Sequence, residues 1–452
     1  MKFDPDRHHR RSIRLKGYDY AQAGAYFVTI CAQDRACLFG AITDREMQMN
    51  DAGEMIARWW EEVPHKFPSV ELDLFVVMPN HFHGIIVLAD SPVGADLRVC
   101  PLGRAHRFAP TIQHGDQMTI KLGIIGAGNM GQTHARVLGA DKRVQIVGIA
   151  DVVCEKADAL ARETNSRAFA SVDALFDAGV DAVYVATPNT KHAPAVLAAL
   201  ARNVHVFSEK PMATTFAEAK QIRDAARKSK AIYQIGLNRR FAPAYKFVKD
   251  KITEGFKPYL ANAKQNDGDW LNPPWITNLE LTGGFLYESS VHLLDMLRWL
   301  MGEVVAVNAR AQSRVYDLPC DFAILMTFEG NRHAVFSSSA HASWAYPFET
   351  LEIVGEHACI RTEEMTRALL SPGLAQEIVT HDFTQVPRAI QWGYQQEDDA
   401  FITAIVEGRA SVCNVEEAFK SIELCEACYR SAASDGATVT LPLRQRIASR
   451  NE

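Results

Sequence analysis

Lys121 to Gly131, KLGIIGAGNMG, constrains this chain more than any other stretch. An apolar run, Leu122 to Ile125, leads into Gly126, Gly128 and Gly131, and Asn129 to Leu138 then carries a helical pattern. The glycines therefore sit at a strand-to-helix turn. A second strand pattern, Gln145 to Ala150, ends in Asp151, about twenty positions after the last glycine, which is the spacing of a dinucleotide fingerprint. Gly126 permits the tight turn, Gly128 lets the backbone approach a pyrophosphate, and Gly131 lets the helix pack on the strand. The N–H groups of the helix start, with Asn129 and Met130 in its first turn, then face the anion. Asp151 is expected to accept hydrogen bonds from the adenosine ribose, and its charge repels a 2′-phosphate. Val152 and Val153 follow where an NADP site usually offers Arg or Ser, so NAD is expected over NADP.

A chain of 452 residues suggests about three domains, and 48% hydrophobic content is enough to build buried cores. The net charge of -6 gives no global pull toward nucleic acid or a membrane surface. No uncharged apolar run has the length of a bilayer span and no signal peptide pattern opens the chain, so a cytoplasmic protein with no membrane partner is expected. The nine cysteines are scattered without framework spacing, which suits a reducing compartment. Cys425 and Cys428 form a CxxC within a helical pattern and read as packing residues.

Residues 1–92 form a separate module. A basic start (Lys2, Arg7, Arg10, Arg11, Arg14, Lys16) precedes a strand pattern at Ala25 to Cys31, a helix at Asp51 to Glu62, and two strands over Leu72 to Leu88 about Pro79-Asn80. In MPNHFHG, His81 and His83 stand two apart on a strand and so project to one face, as a pair of metal ligands must. The runs GAYFVTICAQDRACLFG, VVMPNHFHGII and GADLRVCP resemble the REP-associated tyrosine transposases. That resemblance implies a ferredoxin-like single-strand DNA nuclease in which two histidines bind a divalent metal and a later tyrosine attacks the phosphate. No tyrosine lies between His83 and Gly126. The module is therefore expected to be a truncated, inert fragment, with His81 and His83 vestigial, no resident metal and no nucleic-acid partner. A Pro/Gly/polar linker over 93–117 follows it, and Met118 opens the next part.

From there, strand patterns at Lys121-Ala127, Gln145-Asp151, Ala182-Pro188, His205-Pro211 and Ile232-Asn238 alternate with helices. This predicts a doubly wound parallel sheet over 118–238. Residues 239–452 read as an α+β domain: a helix at Pro243 to Thr253, an aromatic loop Trp270 to Trp275, a helix at about Leu286 to Met301, and then several strands in succession. Those strands, Val304-Arg314, Phe322-Phe328, His333-Ser338 and Glu349-Val354, suggest a large open, mainly antiparallel sheet, closed by helices Gln396-Glu407 and Val415-Ala432. The whole chain is α/β in class.

Two motifs carry chemistry. In SEKP, Pro211 biases Lys210 to extended torsions at the carboxyl end of a strand, where ligands of open α/β sheets bind. After Gly283-Gly284, the residues Glu288, His292 and Asp295 are spaced to share one stripe of an otherwise apolar helix. A polar stripe on a buried helix needs a partner or a job.

With GIIGAGNMG, ATPNTKH and GLNRRFAPAY, these motifs resemble, in order and from Met118 almost to the end, the Gfo/Idh/MocA oxidoreductases. The resemblance implies a nicotinamide-dependent dehydrogenase or reductase acting on a sugar or cyclitol CH-OH group, and a homo-oligomer, dimer or tetramer. It puts catalysis on Lys210, Glu288 and His292: His292 takes the hydroxyl proton and Lys210 stabilises charge on that oxygen. Many members have Asp at the position of Glu288, which leaves open whether Glu288 orients His292 or touches substrate. Thr187, Asn189, His192, Glu209 and Lys210 are expected to border the cofactor, and Arg239 and Trp275, with the catalytic set, the substrate. Other readings stand beside these. Lys210 reads also as a salt-bridge partner of Glu209, Asn189 as an N-cap, Arg239 and Arg240 as surface ion pairs, Asp295 as a loop cap, and Trp270 and Trp275 as loop packing. A DNA-binding protein with the Rossmann part as an NAD sensor, and a non-redox scaffold, are the alternative functions.

Overall fold

The structure, a computed structural model, describes residues 24–32, 37–43, 46–66, 70–88, 119–268, 277–343 and 347–443. The basic arm, the linker over 93–117, Met118, Trp270 and Trp275 lie outside them. The chain divides into two compact units, Met1–Thr111 and Ile112–Glu452.

In the first unit, strands β1 (Gly24–Cys31), β4 (Val70–Met78) and β5 (His81–Leu88) form an antiparallel sheet in the order β1-β5-β4. β2 (Gly40–Thr43) and β3 (Glu46–Met49) make a separate hairpin. Helix α1 (Asp51–Glu61) is capped by Asn50, whose side chain accepts from the N–H groups of Ala52 and Gly53. Its Trp60 joins Phe39, Val77 and Phe82 in a small core. A side chain at Gly84 would run into Trp60, since a Cβ there falls 2.4 Å from the indole.

The second unit holds the two sheets expected. β6 (Ile120–Ile125), β7 (Val144–Ala150), β8 (Arg167–Phe169), β9 (Ala182–Val185), β10 (His205–Glu209) and β11 (Tyr233–Gly236) pair in parallel in the order β11-β10-β9-β6-β7-β8. The order reverses between β6 and β9, and the crevice outside the carboxyl ends of the strands at such a reversal is where this architecture takes ligands. β9 is buried at all four positions, as a strand covered on both faces must be.

The other sheet has nine strands. β12 (Leu260–Asn266), β13 (Val304–Gln312), β14 (Asp321–Phe328), β15 (Arg332–Ser339), β16 (Glu349–Val354), β17 (Cys359–Glu363), β18 (Arg367–Ser371), β19 (Val379–Asp382) and β20 (Val439–Thr440) run in the order β19-β18-β17-β16-β12-β15-β14-β13-β20. Only the β12–β15 pairing is parallel. Along β14 buried residues, Phe322, Ile324 and Met326, alternate with more exposed ones, such as Leu325, so one face of the sheet is buried and the other open. Helix α4 (Val291–Met301) packs on that buried face, and Leu293, Leu294, Leu297 and Leu300 are almost wholly enclosed. Each such side chain contributes about 1.5–3 kcal/mol relative to exposure. The helix expected from Leu286 is interrupted: Leu286–Ser290 is a π-turn, and the α-helix proper begins at Val291.

Candidate active site

The turn after β6 is built for close approach to a ligand. Gly126 has φ +104°, and a Cβ there would fall 2.4 Å from Ala186 O. A Cβ on Gly131 would fall 2.0 Å from Gly126 O, so helix α2 (Asn129–Leu138) sits directly on the turn. At Gly128, by contrast, a Cβ would meet nothing within 4 Å. No side chain caps α2, which leaves its first N–H groups to an anion. Asn129 is exposed and Met130 half-buried at the same opening. Asp151 accepts from the N–H of Ala127 (2.7 Å) and of Val153 (2.8 Å), so its carboxylate also holds the turn together. Thr187, one strand over, has a buried Oγ1 with no hydrogen-bond partner among the described residues. Open space before an uncapped helix, beside an acid and an unspent hydroxyl, fits a dinucleotide.

Lys210 follows β10 and meets the π-turn. Its Nζ donates to Glu288 O at 2.7 Å and lies 3.5 Å from Glu288 Oε1. Its alternative reading, an ion pair with Glu209, is not what forms: Glu209 is buried, accepts the backbone N–H of Lys210 (3.1 Å), and turns its other oxygen to His134 (2.9 Å). Asn189 donates to Glu288 Oε2 (2.5 Å) and to Thr282 O (3.2 Å), so it bridges rather than caps a helix. Glu288 is thus held by Lys210 and Asn189, and no hydrogen bond joins it to His292. His292 is buried, with an unpartnered Nδ1 among the described residues. Burial, then the charges of Arg239 and Lys210, hold its pKa well below 6.5, so the ring is neutral.

The surface ion pairs expected of Arg239 and Arg240 are buried ones. Arg239 lies 3.2 Å from Glu349, which also accepts from Tyr245 (2.7 Å). Arg240 grips both oxygens of Asp295 at 2.7 Å each and reaches Glu417 at 2.9 Å. Asp295 also accepts from Ser421 (2.6 Å) and has left the stripe of Glu288 and His292 to tie helices together. His192 is walled in, with Nδ1 2.7 Å from Pro211 O and Nε2 2.8 Å from Thr187 O; burial lowers its pKa although both carbonyls oppose the shift, and the neutral ring donates to one of the two.

Two acids of the site carry no motif in the sequence. Asp267, just beyond β12, accepts from Ser289 (2.7 Å), and burial foremost raises its pKa, with Glu288 adding and Lys210 and Arg239 opposing. Asp398 forms the far end of the His134 contact. In the first unit, His81 and His83 do share a face, with ring centroids 4.6 Å apart; Nδ1 of His83 contacts Thr29 (2.9 Å) and Nδ1 of His81 contacts Asn80 (2.7 Å).

Comparison with known proteins turns this geometry into an assignment. An oxidoreductase family model, NAD-binding Rossmann fold, matches residues 120–237, and the family's C-terminal alpha/beta domain matches 256–441. An inositol 2-dehydrogenase of Saccharopolyspora erythraea is 30% identical over 346 residues, 73% of this chain and 98% of that one. This chain belongs to the Gfo/Idh/MocA oxidoreductase family. It is an NAD-binding dehydrogenase. A levoglucosan dehydrogenase solved with NADH and levoglucosan shares the fold at TM-score 0.66 and 23% identity, covering 72% of this chain and all of that one. An uncharacterized protein of Haemophilus influenzae is 44% identical over 119 residues, 26% of this chain; the chain spans about 64% of that protein's length. Among the described residues, no helix is long and apolar enough to cross a membrane.

Proposed function

We propose that residues 118–452 form a sugar or cyclitol dehydrogenase, with 118–238 holding the cofactor and 239–452 the substrate and subunit contacts. The observation that carries this reading is the contact of Lys210 with Glu288, with a buried His292 that feels the charge of the same lysine. Gly126, Gly128, Asn129, Met130, Gly131 and Asp151 hold the pyrophosphate and adenosine end, and Thr187 lies toward the nicotinamide. When bound, NAD supplies the hydride acceptor. His292, kept neutral by burial and two cations, takes the carbinol proton. The Lys210 ammonium stabilises negative charge on the same oxygen. Glu288 fixes the ammonium and Asn189 in one cluster, and Asp267, whose carboxyl feels the charges of Glu288, Lys210 and Arg239, is a further acid that can bind substrate hydroxyls.

NADH formation with a panel of cyclitols and aldoses, in wild type and in Lys210→Met, tests the proposal. Turnover with a polyol that is lost in the variant supports it, and unchanged turnover refutes the role of Lys210. The exposed apolar positions of the nine-stranded sheet, Leu260, Leu325 and Val335, support a second copy of the chain as the partner of that face. For the first unit, we infer an inert transposase-like fragment; metal-dependent nicking of hairpin DNA that His81→Ala abolishes is the result that overturns it.

A further inference from the structure

His134 lies on α2, one and a half turns beyond the glycine turn, and is fully buried. Its ring packs against the stacked pair Tyr184 and Phe207, with centroids 5.0 and 4.9 Å away. Both nitrogens face carboxylates: Nδ1 stands 2.8 and 3.0 Å from the oxygens of Asp398 on helix α5 (Tyr394–Glu407), and Nε2 stands 2.9 Å from Glu209 at the end of β10. A neutral imidazole has one N–H and satisfies one such acceptor; an imidazolium satisfies both with charge-assisted bonds. Burial opposes that charge, but Asp398 and Glu209 outweigh it and raise the pKa of His134. The same cation, against burial, lowers the pKa of Glu209. Glu397 closes the cluster: ligand atoms of His134, Glu209 and Glu397 lie within 4.8 Å, both Glu397 oxygens lack a partner among the described residues, and burial, then Glu209, pushes its pKa well up. One imidazolium thus serves two carboxylates, beside a neutral third.

The other oxygen of Glu209 accepts the backbone N–H of Lys210, and Lys210 reaches Glu288. A continuous set of bonds therefore runs from α5 through α2 to the lysine. The glycine turn itself is held by other contacts, Asp151 to Ala127 N–H and Gly126 N–H to Ala150 O. We infer that His134 is a positioning residue for Lys210: through Glu209 it locks the lysine backbone to the helix that opens at Gly128. The inference rests on the catalytic reading of Lys210 given above. It adds a second function to α2, whose first turn faces the cofactor and whose second turn aims the ammonium.

The test compares His134→Gln with wild type and then in a Lys210→Met background. Misplacing a reacting group by about 1 Å costs up to about 10²-fold, so His134→Gln is expected to lower kcat about 10- to 100-fold with KM for NAD within about threefold. In the Lys210→Met background it is expected to add less than about twofold, because the group it positions is gone. Equal losses in the two backgrounds overturn the inference, since a general loosening acts on both. Hydrogen exchange across residues 205–213 is the second readout: the Lys210 amide is expected to exchange faster in His134→Gln, and unchanged exchange overturns the tether. Should His134→Gln fail to fold, Asp398→Asn keeps an acceptor for Nδ1–H, removes the charge, and is expected to show the same dependence on background. If Lys210→Met alone keeps full turnover, the catalytic reading of Lys210 falls, and the exchange result decides the tether by itself.

Discussion

Replacing Lys210 by Met removes an ammonium and keeps an unbranched chain of similar length. In the structure that ammonium donates to Glu288 O at 2.7 Å and sits 3.5 Å from Glu288 Oε1, with the two side chains 19% and 15% exposed. Loss of one preorganised donor to a developing oxyanion costs about 10²–10³ in kcat, or about 2.7–4 kcal/mol. Glu288 loses its cation but keeps Asn189, so the pair falls between an exposed one, worth about 0–1 kcal/mol, and a broken buried one at about 3–5 kcal/mol. A stability loss of about 1–2 kcal/mol follows, a shift of a few degrees in Tm for a unit of this size. Steady-state NADH absorbance with a responding polyol gives kcat and KM separately, and titration of NAD against protein fluorescence gives its Kd. Expected are a kcat lower by about 10²–10³ and a Kd for NAD within about threefold, because the turn at Gly126 to Gly131 is untouched. A kcat within about threefold of wild type refutes the reasoning. A loss confined to KM shows that Lys210 binds substrate and transition state alike.

Arg239→Gln strips Glu349 and Tyr245 of a buried cation and is expected to cost about 3–5 kcal/mol in urea unfolding; it also removes one of two charges that depress His292, so the acid limb of kcat/KM should move to higher pH. Gly131→Ala puts a Cβ 2.0 Å from Gly126 O, and calorimetric titration should show NAD affinity down by about tenfold or more. Glu288→Gln keeps an acceptor for Asn189 but frees the lysine of its carboxylate, and kcat should fall about tenfold while stability changes by about 1 kcal/mol. His292 and His192 have folded pKa values below 6.5, so the unfolded chain takes up protons that the native one refuses. Their contribution is complete above about pH 6.5 and is lost as pH falls toward the folded values; His134, raised, contributes fully below 6.5 and loses it as pH rises through its folded value. Glu397, raised, opposes this by adding stability as pH falls, so the check is the difference in urea midpoint between wild type and His192→Gln across about pH 5–8: a wild-type midpoint that does not fall relative to the variant between about pH 6.5 and 5 contradicts it.

Local patterns were legible where a run of residues carries its own instruction. Glycine spacing after a buried strand, Pro after Lys210, and the apolar periodicity of Val291 to Met301 each act within a few positions, and the corresponding elements formed. Short strands were not legible. β8 has three residues and β19 four, and β17, CIRTE, mixes charge with apolar positions; such segments become strands because a neighbour offers a ladder. Burial of Arg239 and Arg240 was equally hidden, since two adjacent arginines look solvated until Glu349, Asp295 and Glu417 arrive from 55 to 177 positions away.

The stripe of Glu288, His292 and Asp295 shows how far residue counting can go. On a straight α-helix those positions face one way, because each step turns about 100°. The π-turn at Leu286–Ser290 breaks that step where Glu288 sits, and Asp295 is drawn off by Arg240, so one polar stripe becomes two separate partnerships with His292 outside both. His292 is then left without a carboxylate to raise its basicity, beside two cations and out of water. Such a ring stays unprotonated through the neutral range and can accept a proton without first losing one. A Glu in place of the more usual Asp suits the same arrangement, since its extra methylene reaches across to Lys210 and Asn189 instead of stopping at the imidazole. The sequence leaves open whether Glu288 orients His292 or touches substrate; the carboxylate instead bonds Asn189 and lies 3.5 Å from Lys210, and the break in helical register is the physical reason it is turned from the imidazole.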